Sequence, residues 1–198
     1  MTVYSNLKYD HPFSSNATGL GALTKISSQT ASSSSSLSFT TGIDSTYKEY
    51  IFKFINIHPA TDLAEFSFNM STDGGSNYNV TKTTTDFRAY HNEAGTLTAL
   101  EYQTSRDLAQ STSYQILGGN LGNGNDESLS GYLHLFEPSS TTFVKHYISS
   151  TQFYQGTDFS EIHYSGGYAN TTSAVDAIDF KMSSGNIDSG TIIMYGVS

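Results

Sequence analysis

The chain has 198 residues, 36% of them hydrophobic, and suits a single domain, since all-β sandwiches reach this size as one unit. Its formal net charge of −9 argues against nucleic-acid and anionic-membrane partners, and the absence of cysteine removes disulfides and thiolate metal sites. No apolar run approaches the roughly 20 residues of a membrane helix, so membrane insertion is not expected.

The opening MTVYSNLKYDHPF lacks the basic-then-apolar order of a signal peptide, so the expected site of synthesis is a cytoplasm. Tyr and Phe are abundant, with 14 and 12 copies, and no Trp is present. Such a balance fits an aromatic core under a small polar surface, because each ring buries a large area. Residues 1–21 read as an extended N-terminal arm. Tyr4, Leu7, Tyr9 and Phe13 offer apolar side chains without a helical stripe, and Asn16, Gly19 and Gly21 interrupt any pattern. Docking on a neighbouring subunit and a loosely packed terminus both fit this segment.

Residues 22–198 read as the folded domain. Leu23 to Ser27 starts a first strand, the serine run Ser32 to Ser36 is a loop, and Leu37 and Phe39 resume alternation. Lys48 to Ile57, KEYIFKFINI, is the strongest strand signal. Tyr50, Phe52 and Phe54 fall on one side and Ile51, Lys53 and Ile55 on the other, which predicts a central strand covered on both faces. Pro59 ends it, having no N–H for the ladder.

Leu63 to Ser71 alternates, Asp73-Gly74-Gly75-Ser76 is a turn, and Tyr78 to Thr85 is expected to return as the second strand of a hairpin. Phe87 to Tyr90, Leu97 to Tyr102 and Tyr114 to Leu117 are short strand candidates, with a helical turn expected over Asp107 to Gln110. The glycine-rich Gly118 to Asn125 reads as a loop. Tyr132 to Phe136, Phe143 to Ser149 and Phe159 to Tyr168 follow as strands.

The C-terminal stretch places Ile178, Phe180 and Met182 against Asp179, Lys181 and Ser183. A turn and the strand Thr191 to Val197 complete an expected hairpin that closes a sheet. With no long amphipathic helix and no internal repeat, the pattern predicts an antiparallel β-sandwich of jelly-roll type.

Six histidines, His11, His58, His91, His134, His146 and His163, lack a tight ligand spacing, although those in strands have room to converge. Asn123, Asn125, Asp126 and Glu127 are hard oxygen donors and weak calcium candidates, but an Asn-Gly-Asp stretch is first a turn. No cofactor is expected. The carboxylates Asp62, Glu65, Glu93, Glu101, Asp158 and Glu161 are not paired by the sequence, as a glycosidase requires. No nucleophile motif is present.

Six segments together resemble structural proteins of tailed phages, especially those of marine bacteria. They are Tyr47 to Asp62 (YKEYIFKFINIHPATD), Phe68 to Ser76 (FNMSTDGGS), Arg88 to Gly95 (RAYHNEAG), Gly122 to Leu129 (GNGNDESL), Phe136 to Thr142 (FEPSSTT) and Phe180 to Val197 (FKMSSGNIDSGTIIMYGV). The resemblance implies a non-enzymatic virion protein on the particle exterior, a capsid decoration or tail or fibre subunit, with other virion proteins as partners. A second expectation is a carbohydrate-binding module for host surface glycans, which the Tyr content suits and the lack of Trp weakens. The two-sided apolar character around Ile51 and Ile55, with the arm, predicts a homotrimer.

Overall fold

The structure is a computed structural model that describes residues 22–198. The arm and its Tyr4, Leu7, Tyr9 and Phe13 lie outside the described residues. Twelve strands and no helix make up the described residues. They are β1 (Leu23–Thr30), β2 (Leu37–Phe39), β3 (Glu49–Pro59), β4 (Ala64–Ser71), β5 (Lys82–Asn92) and β6 (Thr98–Tyr102), then β7 (Gln115–Leu121), β8 (Leu129–Phe136), β9 (Lys145–Gln155), β10 (Phe159–Ala169), β11 (Ala177–Met182) and β12 (Ile187–Val197).

Every pairing is antiparallel. One layer runs β1-β12-β3-β8-β9-β10-β5-β6 and the other β2-β11-β4-β7, joined where Leu121 of β7 pairs with Gln155 of β9. The all-β antiparallel sandwich read from the strand periodicity is the observed fold.

The apolar alternation in β3, β4 and β11 brings the layers together. Tyr50, Phe52 and Phe54 point inward from β3 and are essentially unexposed. Opposite them stand Phe39, Phe66, Phe68 and Phe180. The Phe54 and Phe66 rings meet edge to face with centroids 5.2 Å apart, and Phe180 lies 5.3 Å from Phe54 and 5.5 Å from Phe52. Each buried ring contributes about 1.5–3 kcal/mol from area alone, and edge-on pairs add about 0.5–1.5 kcal/mol.

Four expectations are corrected. Tyr78 to Thr85 does not pair with the preceding strand: β5 starts at Lys82, pairs with β10 and β6, and absorbs Phe87 to Tyr90 into one strand. Its 11 residues have partners in the large layer, whereas the backbone bond back to β4 is from Val80 N–H to Met70 O, at 3.3 Å.

The glycine run is not wholly a loop either, since β7 continues through Gly118 and Gly119 to Leu121. Both positions are crowded. A Cβ at Gly118 would lie 2.4 Å from Leu129, and one at Gly119 would lie 2.1 Å from the Arg106 guanidinium. Glycine here marks close approach rather than a turn.

Residues 107–110 form no helix, because their backbone pairs sideways, with Thr84 N–H donating to Leu108 O at 2.9 Å. Finally, β11 and β12 do not form a hairpin. β11 sits between β2 and β4 in the small layer, while β12 crosses to sit between β1 and β3. The chain still ends on an integral strand, with Ile192 and Met194 fully buried.

Candidate functional site

Five adjacent strands, β8, β9, β10, β5 and β6, form a surface unlike the rest of the molecule. Side chains alternate across a strand, so burial tells which face each takes. Outward on β8 stand Ser130, Tyr132, His134 and Phe136, and on β9 His146, Ile148, Ser150, Gln152 and Tyr154. On β10 they are Ser160, Ile162, Tyr164, Gly166 and Tyr168, on β5 Thr83, Thr85, Phe87, Ala89 and His91, and on β6 Thr98, Leu100 and Tyr102.

None of these is Asp, Glu, Lys or Arg, in a chain with 18 acidic and 9 basic residues. Large apolar side chains remain exposed, among them Ile148 at 55%, Tyr102 at 50% and Phe87 at 43%. Register aligns Tyr132, Ser150, Tyr164, Phe87 and Tyr102 in one row across the five strands. Phe87 and Tyr164 stack with centroids 5.0 Å apart.

Every charged residue of the same strands points inward: Lys145 on β9, Glu161 on β10, Lys82, Asp86 and Arg88 on β5, and Glu101 on β6. The segment between β6 and β7 covers much of this charged layer. Arg88 bridges Glu101 at 2.7 Å and Glu161 at 3.0 Å, while Arg106 lies 3.5 Å from Glu161 and 3.7 Å from Glu65. Burial outweighs both guanidiniums and holds the Glu161 carboxyl above the ordinary glutamate value.

His163 Nε2 lies 2.8 Å from Asp86 Oδ1, off the line of a hydrogen bond, and neither that oxygen nor His163 Nδ1 has a hydrogen-bond partner among the described residues. Gln115 ties the network to the covering segment, accepting from Thr84 Oγ1 at 2.7 Å and donating to Arg106 O at 3.1 Å. Lys82 has no carboxylate partner among the described residues. It donates to Val80 O at 2.9 Å and to Asn69 Oδ1, and burial lowers its pKa to about 7. Lys145 is likewise pulled down by burial, with Phe143 O and Thr171 O as acceptors.

The sequence-predicted residues are distributed differently. Ile51 is buried in the outer face of β3 between Tyr195 and His134, whereas Ile55 is 44% exposed. Asn123, Asn125, Asp126 and Glu127 share the loop after β7. The Glu127 carboxylate accepts from Gly124 N–H, and the Asn123 amide reaches Ala60 O at 3.4 Å. No group of three His, Asp or Glu side chains suited to a metal occurs among the described residues. The strand histidines do not converge, since His134 and His146 face out and His163 faces in.

Of the six carboxylates, Glu65, Glu101 and Glu161 are brought together, through the two arginines. Glu93 N–H bonds Asp158 O at 2.9 Å, and Asp62 caps Leu63 N–H. Sequence reasoning missed Arg88, Arg106 and the outward row of rings. The available signal was alternation in β5 and β10, where Phe87, Tyr164 and Tyr168 fall on the parity opposite to Lys82, Asp86, Arg88 and Glu161, although Tyr90 and Phe159 share the charged parity.

Set against protein families, curated proteins and solved structures, the chain matches none of them.

Proposed function

We propose that this chain is a non-enzymatic structural subunit on the exterior of a tailed-phage virion, a capsid decoration or a tail or fibre component made in the host bacterial cytoplasm. Its work is contact with other virion proteins. The observation that carries this reading is the uncharged, ring-studded outer face of β8-β9-β10-β5-β6. Interface cores are depleted in charge and enriched in Tyr and Phe, and exposed apolar patches mark contact surfaces.

The sequence resemblance points the same way. The order β2-β11-β4-β7 against β3-β8-β9-β10-β5-β6 supports a jelly roll with the β9-β10 hairpin inserted, an architecture used by capsid proteins and lectins. A homotrimer joined through residues 1–21 and the exposed Ile55 completes the proposal.

The experiment is particle assembly with Phe87→Glu/Tyr132→Glu protein. Both side chains are exposed, so the fold should hold within about 0.5 kcal/mol of wild type, while incorporation into particles should be lost. Normal incorporation of that variant would remove this face from the contact. Light scattering of purified wild-type protein reads the trimer directly, and a monomer alone would count against it.

A second reading, a module for host glycans, is favoured by a separate feature. The outer face dips into a trough of about 460 Å³ around Gly166 and Gly167.

A further inference from the structure

We propose that the trough over Gly166 is a binding site for a neutral saccharide. The inference rests on the glycan-binding reading and not on attachment to the particle. The floor is Gly166, in the middle of the 11-residue strand β10. Tyr168 and His146 close one end, with ring centroids 6.3 Å apart, and the stacked Tyr164 and Phe87 lie outside the lining, two residues along their strands from Gly166 and Thr85. Ile148 forms one bank and Thr85 the other, each paired with Gly166 in register.

Gly166 has no local reason to be glycine. Its φ is not positive, and a Cβ there would meet only Tyr147 O, at 3.6 Å, an ordinary contact. Glycine within a strand weakens it by its entropy and gives nothing to pack, and it often marks the close approach of a ligand. The missing side chain is what makes the trough.

The lining defines the ligand class. Isoleucine and aromatic surface suits the apolar C–H faces of a sugar ring, and a few placed polar groups fix orientation. At the trough, Thr85 Oγ1 donates to Gly166 O at 3.3 Å and Thr83 Oγ1 accepts from Gln110 Nε2 at 2.6 Å. The His146 imidazole and the Tyr168 hydroxyl enter no hydrogen bond among the described residues and are left to meet sugar hydroxyls. Among the described residues no Lys or Arg lines the trough, and the chain carries −9 overall, so an anionic saccharide is disfavoured and a neutral one is not.

The test is titration of the full chain with neutral β-glucan, galactan and mannan oligosaccharides by ligand-observed NMR and affinity electrophoresis, with heparin oligosaccharide as the anionic control. At least one neutral saccharide should bind and heparin should not. Gly166→Val, which fills the floor with a strand-favouring side chain, should keep or raise the melting temperature and weaken binding at least tenfold. Tyr168→Ala should weaken it similarly, whereas Leu100→Ser, outside the trough, should not.

No binding by wild type at millimolar saccharide, preference for heparin, or full affinity in both Gly166→Val and Tyr168→Ala would each overturn the site. Particle incorporation of Gly166→Val separates the two roles. Incorporation retained with saccharide binding lost supports the site. Incorporation lost, when wild type binds no saccharide, would assign the trough to a protein partner and overturn the proposal.

Discussion

Around β3 the sandwich interior is made of rings, with Phe52 and Phe54 against Phe66 and Phe180. Around β10 it holds charge, with Glu161, Arg88, His163 and Asp86 under the segment that links β6 to β7 and brings in Arg106. The outer surface inverts accordingly: β3 presents Glu49 and Lys53, the latter 5.6 Å from the Tyr195 ring, while β10 and its neighbours present no charge.

The difference shows two ways of filling the same layered fold. Apolar burial stabilises the first half without needing direction. The second half holds its charges only because each has an opposite charge or a hydrogen-bond partner, with Asp86 and His163 incompletely satisfied. Burying the charges and exposing the rings is the feature on which the proposed contact role rests.

Deleting Ser189 to Ser198 should have the largest effect. It removes the strand between β1 and β3 together with the buried Ile192 and Met194. At about 1.5–3 kcal/mol per buried side chain, the loss approaches the whole margin of a domain, so the truncated chain should be insoluble on expression. A soluble truncation with an unchanged melting temperature would make β12 peripheral.

Next come single replacements in each half. Phe180→Ala should cost about 3–5 kcal/mol by chemical denaturation, from the cavity left among five rings. Glu161→Ala should cost about as much, 3–5 kcal/mol, for a different reason: it leaves Arg106 and Arg88 short of a buried counter-charge. Replacing Arg88, Arg106 and Glu161 together by apolar residues should then cost less than Glu161→Ala alone. A cost that simply adds would mean the charged half behaves like the ring half.

A smaller effect is pH dependence at Lys82, whose pKa falls to about 7 in the folded protein against roughly 10.4 unfolded. Between those values the unfolded chain binds the extra proton, so stability falls as pH drops from about 10 to about 7 and is flat below. The slope from this group is at most about 1.4 kcal/mol per pH unit. Lys82→Met should flatten that part of the stability curve relative to wild type, and an identical slope in the two proteins would place the dependence elsewhere. The smallest effect is Gly166→Val, expected to add about 0.5–1 kcal/mol by removing a strand glycine.

The all-β class, the central strand at Lys48 to Ile57 and the inward set Phe52, Phe54, Phe66 and Phe180 were legible from period-2 alternation, because strand geometry sends neighbours to opposite faces and these strands sort apolar from polar. The charged half was not legible. In β5 and β10 the alternation is broken by Tyr90 and Phe159, which share the parity of Arg88 and Glu161; the rule that apolar residues face inward assigns the sides wrongly, and the sequence carries no sign that the segment after β6 lies over the charged side.

Pairing between distant strands was also a tertiary matter. Tyr78 to Thr85 has a turn before it and a β-rich composition, yet from Lys82 on it pairs with β10, some eighty residues on, where an unbroken partner is available. Local patterning thus determined which residues extend and how their side chains alternate, since that depends on the backbone of one strand. Which face became interior, which strands paired, and where a bare glycine opens a trough were decided only by the folded layers, because each depends on what chain far away in sequence lies on the other side.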